Sequence, residues 1–270
     1  IGNRSFGENK YNVTEKAIAF TNGMQSTGVL ANAKHFPGHG DTSTDSHKTL
    51  PFLDFTLERL DSIELFPYKK LFKTNLASVM VAHLNVPSLE PKPGVPTSIS
   101  YKVITELLKE KMDFNGLIFT DALNMKGAAN FAKPGDIDLA AFEAGNDMLL
   151  IPEDVKVAVK KIKKAIRKHK ISRERLNASV KKILKAKYWA GLNNFTPIKE
   201  EGIQEDIITI KDELLYRSLM KEAISLVQNK EAIIPIKELS NNKIAYVKLG
   251  DSDNFDFTNT LKKYTQVDII

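Results

Sequence analysis

The chain has 270 residues, 42% hydrophobic and 27% charged, with 39 basic and 33 acidic side chains for a formal net charge of +6. This is the composition of a globular protein with a sizeable core, not of a disordered chain. No apolar run reaches the ~20 residues of a bilayer-spanning helix. The absence of cysteine excludes disulfide scaffolds, thiolate metal sites and cysteine nucleophiles.

The chain opens on "IGNRSFGE", with neither an initiator Met nor a signal-like apolar stretch, and is expected to begin inside a longer sequence. Asn12, with Glu15 three residues on, makes a capping-box pattern. The segment "NVTEKAIAFTNGMQ" is therefore predicted helical, with Val13, Ala17, Phe20 and Met24 on its buried face. "GVLANAKHFPG" follows as a short strand running into a histidine-rich stretch. "TLERLDSIELF" is predicted helical up to Pro67. "ASVMVAHLNVP" reads as a strand buried on both faces.

The alternation continues. Ser100 is expected to cap "SISYKVITELLKEKM", with Val103, Ile104, Leu107 and Leu108 inward. "GLIFTDAL" is a buried strand ending at Asp121, "GDIDLAAFEAG" a short helix and "NDMLLIP" a fourth buried strand. The helix "DVKVAVKKIKKAIRKHK" carries an apolar stripe of Val155, Ala158, Val159, Ile162, Ala165 and Ile166. Lysines without interleaved aromatics fill its other positions, which fits a solvated outer face better than a nucleic-acid site. "SRERLNASVKKILKAKYWAGL" is predicted to bury Leu176, Val180, Ile183 and Leu184 and to stop near Gly191.

Residues 193–211 are polar and acidic with little periodicity and read as a linker. Beyond them, "DELLYRSLMKEAISLVQN" is a helix running into a short strand, "NKIAYVKLG" a strand, "FTNTLKKY" a helix and "QVDII" a strand. Alternating strands and helices are the signature of a parallel α/β architecture. The expected organisation is one α/β domain over 1–192, a linker, and the start of a second α/β domain over 212–270.

Three of the five histidines, His35, His39 and His47, fall in "KHFPGHGDTSTDSHKTLP" (residues 34–51). His35 and His39 have H-x-x-x-H spacing, but Pro37 and Gly38 between them preclude the helix that would give that spacing meaning, and no Glu follows the first His. A metal site is therefore not favoured. The alternatives are a polar loop with locally satisfied histidines and a catalytic loop. Long patternless segments in compact domains are often functional. Asp45, two residues before His47, can hydrogen-bond the ring, orient it and raise its pKa, as a histidine acid requires. Asp121, at a strand's C-terminal end, reads either as a catalytic carboxylate or as a cap on the next turn.

"NRSFG", "AKHFPGHGDT…DSH", "GLIFTDALNMKG" and "AGNDMLL", in this order, resemble glycoside hydrolase family 3, specifically its β-N-acetylglucosaminidase branch, over about residues 1–192. "EAISLVQNKEAIIPI" resembles the entry to that family's second domain. The resemblance implies the C-terminal part of a (β/α)8 TIM-type barrel followed by the start of an α/β sandwich domain, with the first barrel half and its acidic sugar-binding element lying upstream. It assigns Asp121 as nucleophile, His47 as general acid and base, and Asp45 as the partner of His47. Arg4, Lys34 and His35 would grip sugar hydroxyls, while His39 and Asp41 would shape the loop. His83, at the end of "VMVAH", is a further candidate for facing the site.

The implied activity is retaining hydrolysis of terminal β-linked GlcNAc from peptidoglycan-derived muropeptides, with no metal or organic cofactor. The alternatives are a phosphorylase using the same site and a non-catalytic carbohydrate-binding fragment. A carbohydrate is the expected partner, with no nucleic acid and no membrane span; cytoplasmic and cell-envelope locations fit equally.

Overall fold

The structure, a computed structural model, describes residues 5–42, 49–250 and 255–270. The chain divides into two units, Ile1–Thr196 and Pro197–Ile270. No described helix is long and apolar enough to cross a membrane.

The first unit is built on a parallel sheet in the order β1 (Asn32–Phe36), β2 (Ser78–Val81), β3 (Leu117–Thr120). Ser78, Val79 and Val81 of β2 are buried, as expected of a central strand covered on both faces. The β2–β3 register is regular, from Ser78 opposite Leu117 to Val81 opposite Thr120. The β1–β2 register breaks between Lys34 and Phe36, which places His35 at a bulge. The peptides Lys34–His35 and Phe36–Pro37 on either side are cis. The predicted fourth strand, "NDMLLIP", shortens to a single parallel bridge between Phe119 and Met148. At its start the Asp147 side chain accepts the N–H of Ile118 at 3.1 Å, and near its end the Thr120 hydroxyl accepts the N–H of Leu150 at 2.9 Å.

Helix α1 (Lys10–Ser26) starts three residues earlier than its capping-box pattern suggested. Asn9 is the cap, its side chain accepting the N–H groups of Tyr11 and Asn12. The buried face is also rotated: Thr14 and Thr21 are buried beside Ala17 and Met24, while Phe20 is exposed. Pro67 does not end its helix. A π-type stretch, Leu60–Glu64, separates α2 (Leu57–Arg59) from α3 (Leu65–Leu71). Pro67 sits in the first turn of α3, where a missing N–H is tolerated.

A second π-type helix, Lys102–Lys111, buries Val103, Ile104 and Leu108, and the Ser100 hydroxyl accepts the Val103 N–H at 3.2 Å. With Phe36, Tyr68 and Val79 these side chains form the largest described core cluster.

Short α4 (Lys126–Ala129) and α5 (Asp136–Ala144) follow β3, then α6 (Val155–Arg167) and α7 (Arg173–Trp189). On α6, Ala158 and Ala165 are buried, but Val155 and Val159 are exposed. On α7, Val180 and Leu184 are exposed and Ser179 is buried, against expectation. The inward face of α7 is polar because it grips Asp147. Ser179 donates to Asp147 Oδ1, and Arg175 and Lys182 lie 3.6 Å and 3.3 Å from its two oxygens. Lys182 also donates to the Gly116 carbonyl at 2.8 Å, and Arg175 to that of Asn146 at 2.6 Å. Lys109 donates to the Gly145 carbonyl just beyond α5. Cations at a helix C-terminus meet its unpaired carbonyls favourably. This cluster closes the N-terminal end of β3.

In the second unit, α8 (Ile203–Ile207) lies within the stretch expected to be linker. α9 (Ile210–Ala223) has a reciprocal cap in which the Thr209 N–H donates to Asp212 at 2.9 Å. No strand forms between α9 and β4 (Ile244–Tyr246). α10 (Phe255–Lys262) follows, and β5 (Val267–Ile269) then pairs parallel with β4.

Candidate active site

Parallel sheets gather polar groups at the C-terminal ends of their strands, and that is where the candidate residues meet. Asp121 follows β3 directly, and its N–H donates to the Val81 carbonyl at 2.9 Å, extending the ladder one residue past the strand. Its carboxylate is divided in role. Oδ1 accepts the Ala122 N–H at 2.9 Å, whereas Oδ2 lies 3.7 Å from His35 Nε2. Both side chains are mostly sheltered, 15% exposed for Asp121 and 12% for His35. The bulge in β1 lets His35 reach Asp121 from two strands away; bulges recur beside active sites for this reason. Lys34, one residue earlier, is exposed.

The loop after β1 is held from two sides. The His35 and His39 rings meet edge to face at 5.7 Å between centroids, and His39 Nδ1 is 3.0 Å from the Thr42 hydroxyl. Gly38 has φ 147°, and a Cβ there would come within 2.7 Å of Glu64 Cβ, so only glycine fits. Arg59 spans the same corner, 2.9 Å from Glu64 and 3.3 Å from Asp41. Burial pushes the Glu64 carboxyl above the usual carboxylate range, with its own backbone N–H and Arg59 pulling the other way.

His83 has no exposed surface. It is fully buried behind Asp121, with Nε2 2.9 Å from the Ala122 carbonyl and Nδ1 2.6 Å from Ser98 Oγ. Burial lowers its pKa, against the opposing pull of the Ala122 bond and the Asp121 charge. A carbonyl can only accept, so Nε2 carries the proton of the neutral ring and the Ser98 hydroxyl donates to Nδ1.

The structure thus brings Asp121 and His35 together, with His39 and Asp41 in the loop and His83 buried behind, while the side chain of Lys34 is exposed. Arg4, Asp45 and His47 lie outside the described residues. Among the described residues no three His, Asp or Glu side chains group as a metal site would require. Sequence reasoning missed Arg59, Glu64 and Ser98. Arg59 and Glu64 sit in a segment read only as helical, and Ser98 two residues before a residue already taken as the cap. Chemically, the arrangement fixes one oxygen of a carboxylate on the backbone and leaves the other beside an imidazole.

The family model "Glycosyl hydrolase family 3 N terminal domain" matches residues 1–186. The chain is 32% identical over 206 residues to a beta-hexosaminidase A of Pseudoalteromonas piscicida, covering 69% of this chain and 34% of that protein. It is 40% identical over 151 residues to a beta-hexosaminidase of Methylococcus capsulatus, covering 56% and 44% respectively. A solved glycoside hydrolase family 3 beta-N-acetylglucosaminidase from a Paenibacillus species superposes with a TM-score of 0.80 at 28% identity, covering 99% of this chain and 52% of that one. The chain therefore spans well under two thirds of the length of each of these relatives.

Proposed function

Because the chain belongs to glycosyl hydrolase family 3, we propose that it acts as a retaining exo-β-N-acetylglucosaminidase, releasing terminal GlcNAc from peptidoglycan-derived muropeptides or related glycosides. The observation carrying this reading is Asp121, with one oxygen fixed by the Ala122 N–H and the other turned toward His35 at 3.7 Å. A carboxylate held in that way can attack an anomeric carbon along one direction.

In the proposed reaction His47, paired with Asp45, protonates the glycosidic oxygen as the bond to the aglycone breaks. Asp121 Oδ2 forms the bond to the anomeric carbon from the opposite face. His47, now neutral, then takes a proton from water, which displaces Asp121 and releases the sugar with net retention. His35, Lys34 and Arg4 would hold ring hydroxyls, and the (β/α)8 barrel of the wider family would supply the rest of the cleft. Support for the substrate class comes from relatives that are named beta-hexosaminidases at 32% and 40% identity.

The test is hydrolysis of an aryl β-N-acetylglucosaminide by the full natural chain in phosphate buffer, with products and anomeric form followed by NMR. Release of β-GlcNAc as the first-formed anomer is expected. Formation of the sugar 1-phosphate would move the reading to phosphorolysis, and no turnover with binding alone would sink an enzymatic role.

A further inference from the structure

His83 touches no open surface, yet both of its ring nitrogens are engaged. A buried imidazole is costly unless its polar atoms are paired, and an apolar side chain would fill the space without that requirement. Its bonds form part of a continuous chain. The Asn146 side-chain amide donates to the Ser98 carbonyl at 2.9 Å, and the Ser98 hydroxyl meets His83 Nδ1. His83 Nε2 meets the Ala122 carbonyl, and the Ala122 N–H holds Asp121 Oδ1. The next residue, Leu123, is fully buried and donates its N–H to the Leu150 carbonyl at 2.9 Å.

We propose that His83 is a positioning residue for Asp121: as a neutral ring tied to Ser98, it pins Ala122, whose N–H holds one carboxylate oxygen so that the other is aimed at the anomeric carbon. The role rests on the reading of Asp121 as nucleophile. A neutral ring suits it, because an imidazolium behind Asp121 would draw on the charge that attacks. The ring is far enough into the protein that substrate never meets it, so its effect falls on turnover and not on binding. A displacement of the attacking atom by about 1 Å costs on the order of 10²-fold in rate.

The experiment uses the full natural chain and an activated aryl β-N-acetylglucosaminide. His83→Leu, which keeps the volume and removes both bonds, is expected to lower kcat about 10²-fold with KM within about twofold. His83→Gln, which keeps an N–H able to reach the Ala122 carbonyl, is expected to recover about tenfold of that loss.

The same changes are then made in Asp121→Gly with added azide. There azide forms the bond to the anomeric carbon as the aryl oxide leaves, giving the α-glycosyl azide. With no carboxylate left to aim, His83→Leu should leave the azide-dependent rate unchanged. An equal loss in both backgrounds, or a Gln variant no better than Leu, overturns the proposal and makes His83 a packing residue. If His83→Leu fails to melt cooperatively, Ser98→Ala decides, with a loss in kcat expected only where Asp121 is present. Asp121→Gly that yields no glycosyl azide, beside a wild type with no hydrolysis, would instead overturn the nucleophile reading itself.

Discussion

The nucleophile proposed at Asp121 must be aimed, and backbone groups immediately beside it can supply the aim. Asp121→Asn keeps the shape and the contact to Ala122 but removes the nucleophile. It should lower kcat on the order of 10⁴-fold while the melting temperature stays put; near-normal turnover would remove Asp121 from the chemistry. Gly38 makes a different kind of contribution. Its φ of 147° and the 2.7 Å approach to Glu64 mean that Gly38→Ala must displace either the loop or the helix. The expected cost is about 1–3 kcal/mol of stability, read from urea unfolding, together with reduced turnover. Unchanged values of both would show that the loop accommodates a side chain.

The polar cluster below β3 fixes α7 and the C-terminus of α5 to the sheet. Asp147 is the carboxylate of this cluster, so Asp147→Ala leaves Arg175 and Lys182 without their counter-charge and the Ile118 N–H and Ser179 hydroxyl without their acceptor. Breaking a buried pair in this way costs about 3–5 kcal/mol, measurable as a lower urea midpoint; a loss below the scatter of the measurement would make the cluster ornamental. Lys109, in the same region, has a pKa pushed down to about 8 by burial and by the neighbouring Arg175 charge. Between that value and the ordinary lysine value the unfolded chain holds the proton and the folded one does not. Stability from this group therefore rises with pH above about 8. Wild type should gain melting temperature over Lys109→Met across pH 8 to 10, and a constant difference would contradict the shift.

These elements also show what sequence can and cannot convey. The strands were legible because β2 and β3 are short apolar runs, and Asp121 because it closes one of them. The inward face of α7 was not legible, since its apolar pattern pointed to Val180 and Leu184. What decided the face was an ion cluster whose carboxylate lies 32 residues from Ser179. Pro67 misled for a local reason: a π-type turn ahead of it shifts the hydrogen-bond register, and residue-by-residue propensity does not encode that shift. Asn9 and Asn12 are both good caps, and only the observed geometry chooses between them.

At the scale of the molecule, Val180, Leu184 and Tyr188 form an exposed line along α7, with 42%, 58% and 70% of their surfaces accessible. In the second unit Val227 and Leu249 are 95% and 91% exposed. Exposed apolar surface of this kind drives association. These 270 residues expressed alone should scatter light in a concentration-dependent way, and a monodisperse product at high concentration would refute that expectation. The sheet itself has two unlike ends. At one end Asp147, Arg175 and Lys182 lock helices to strand, and at the other Asp121 meets His35 with His83 buried beneath. Mutational tolerance should divide along the same line. Under the proposed glycosidase activity, variation at the Asp121 end should cost turnover before it costs the fold, whereas equal variation around Asp147 would purge most of a library before selection for activity began.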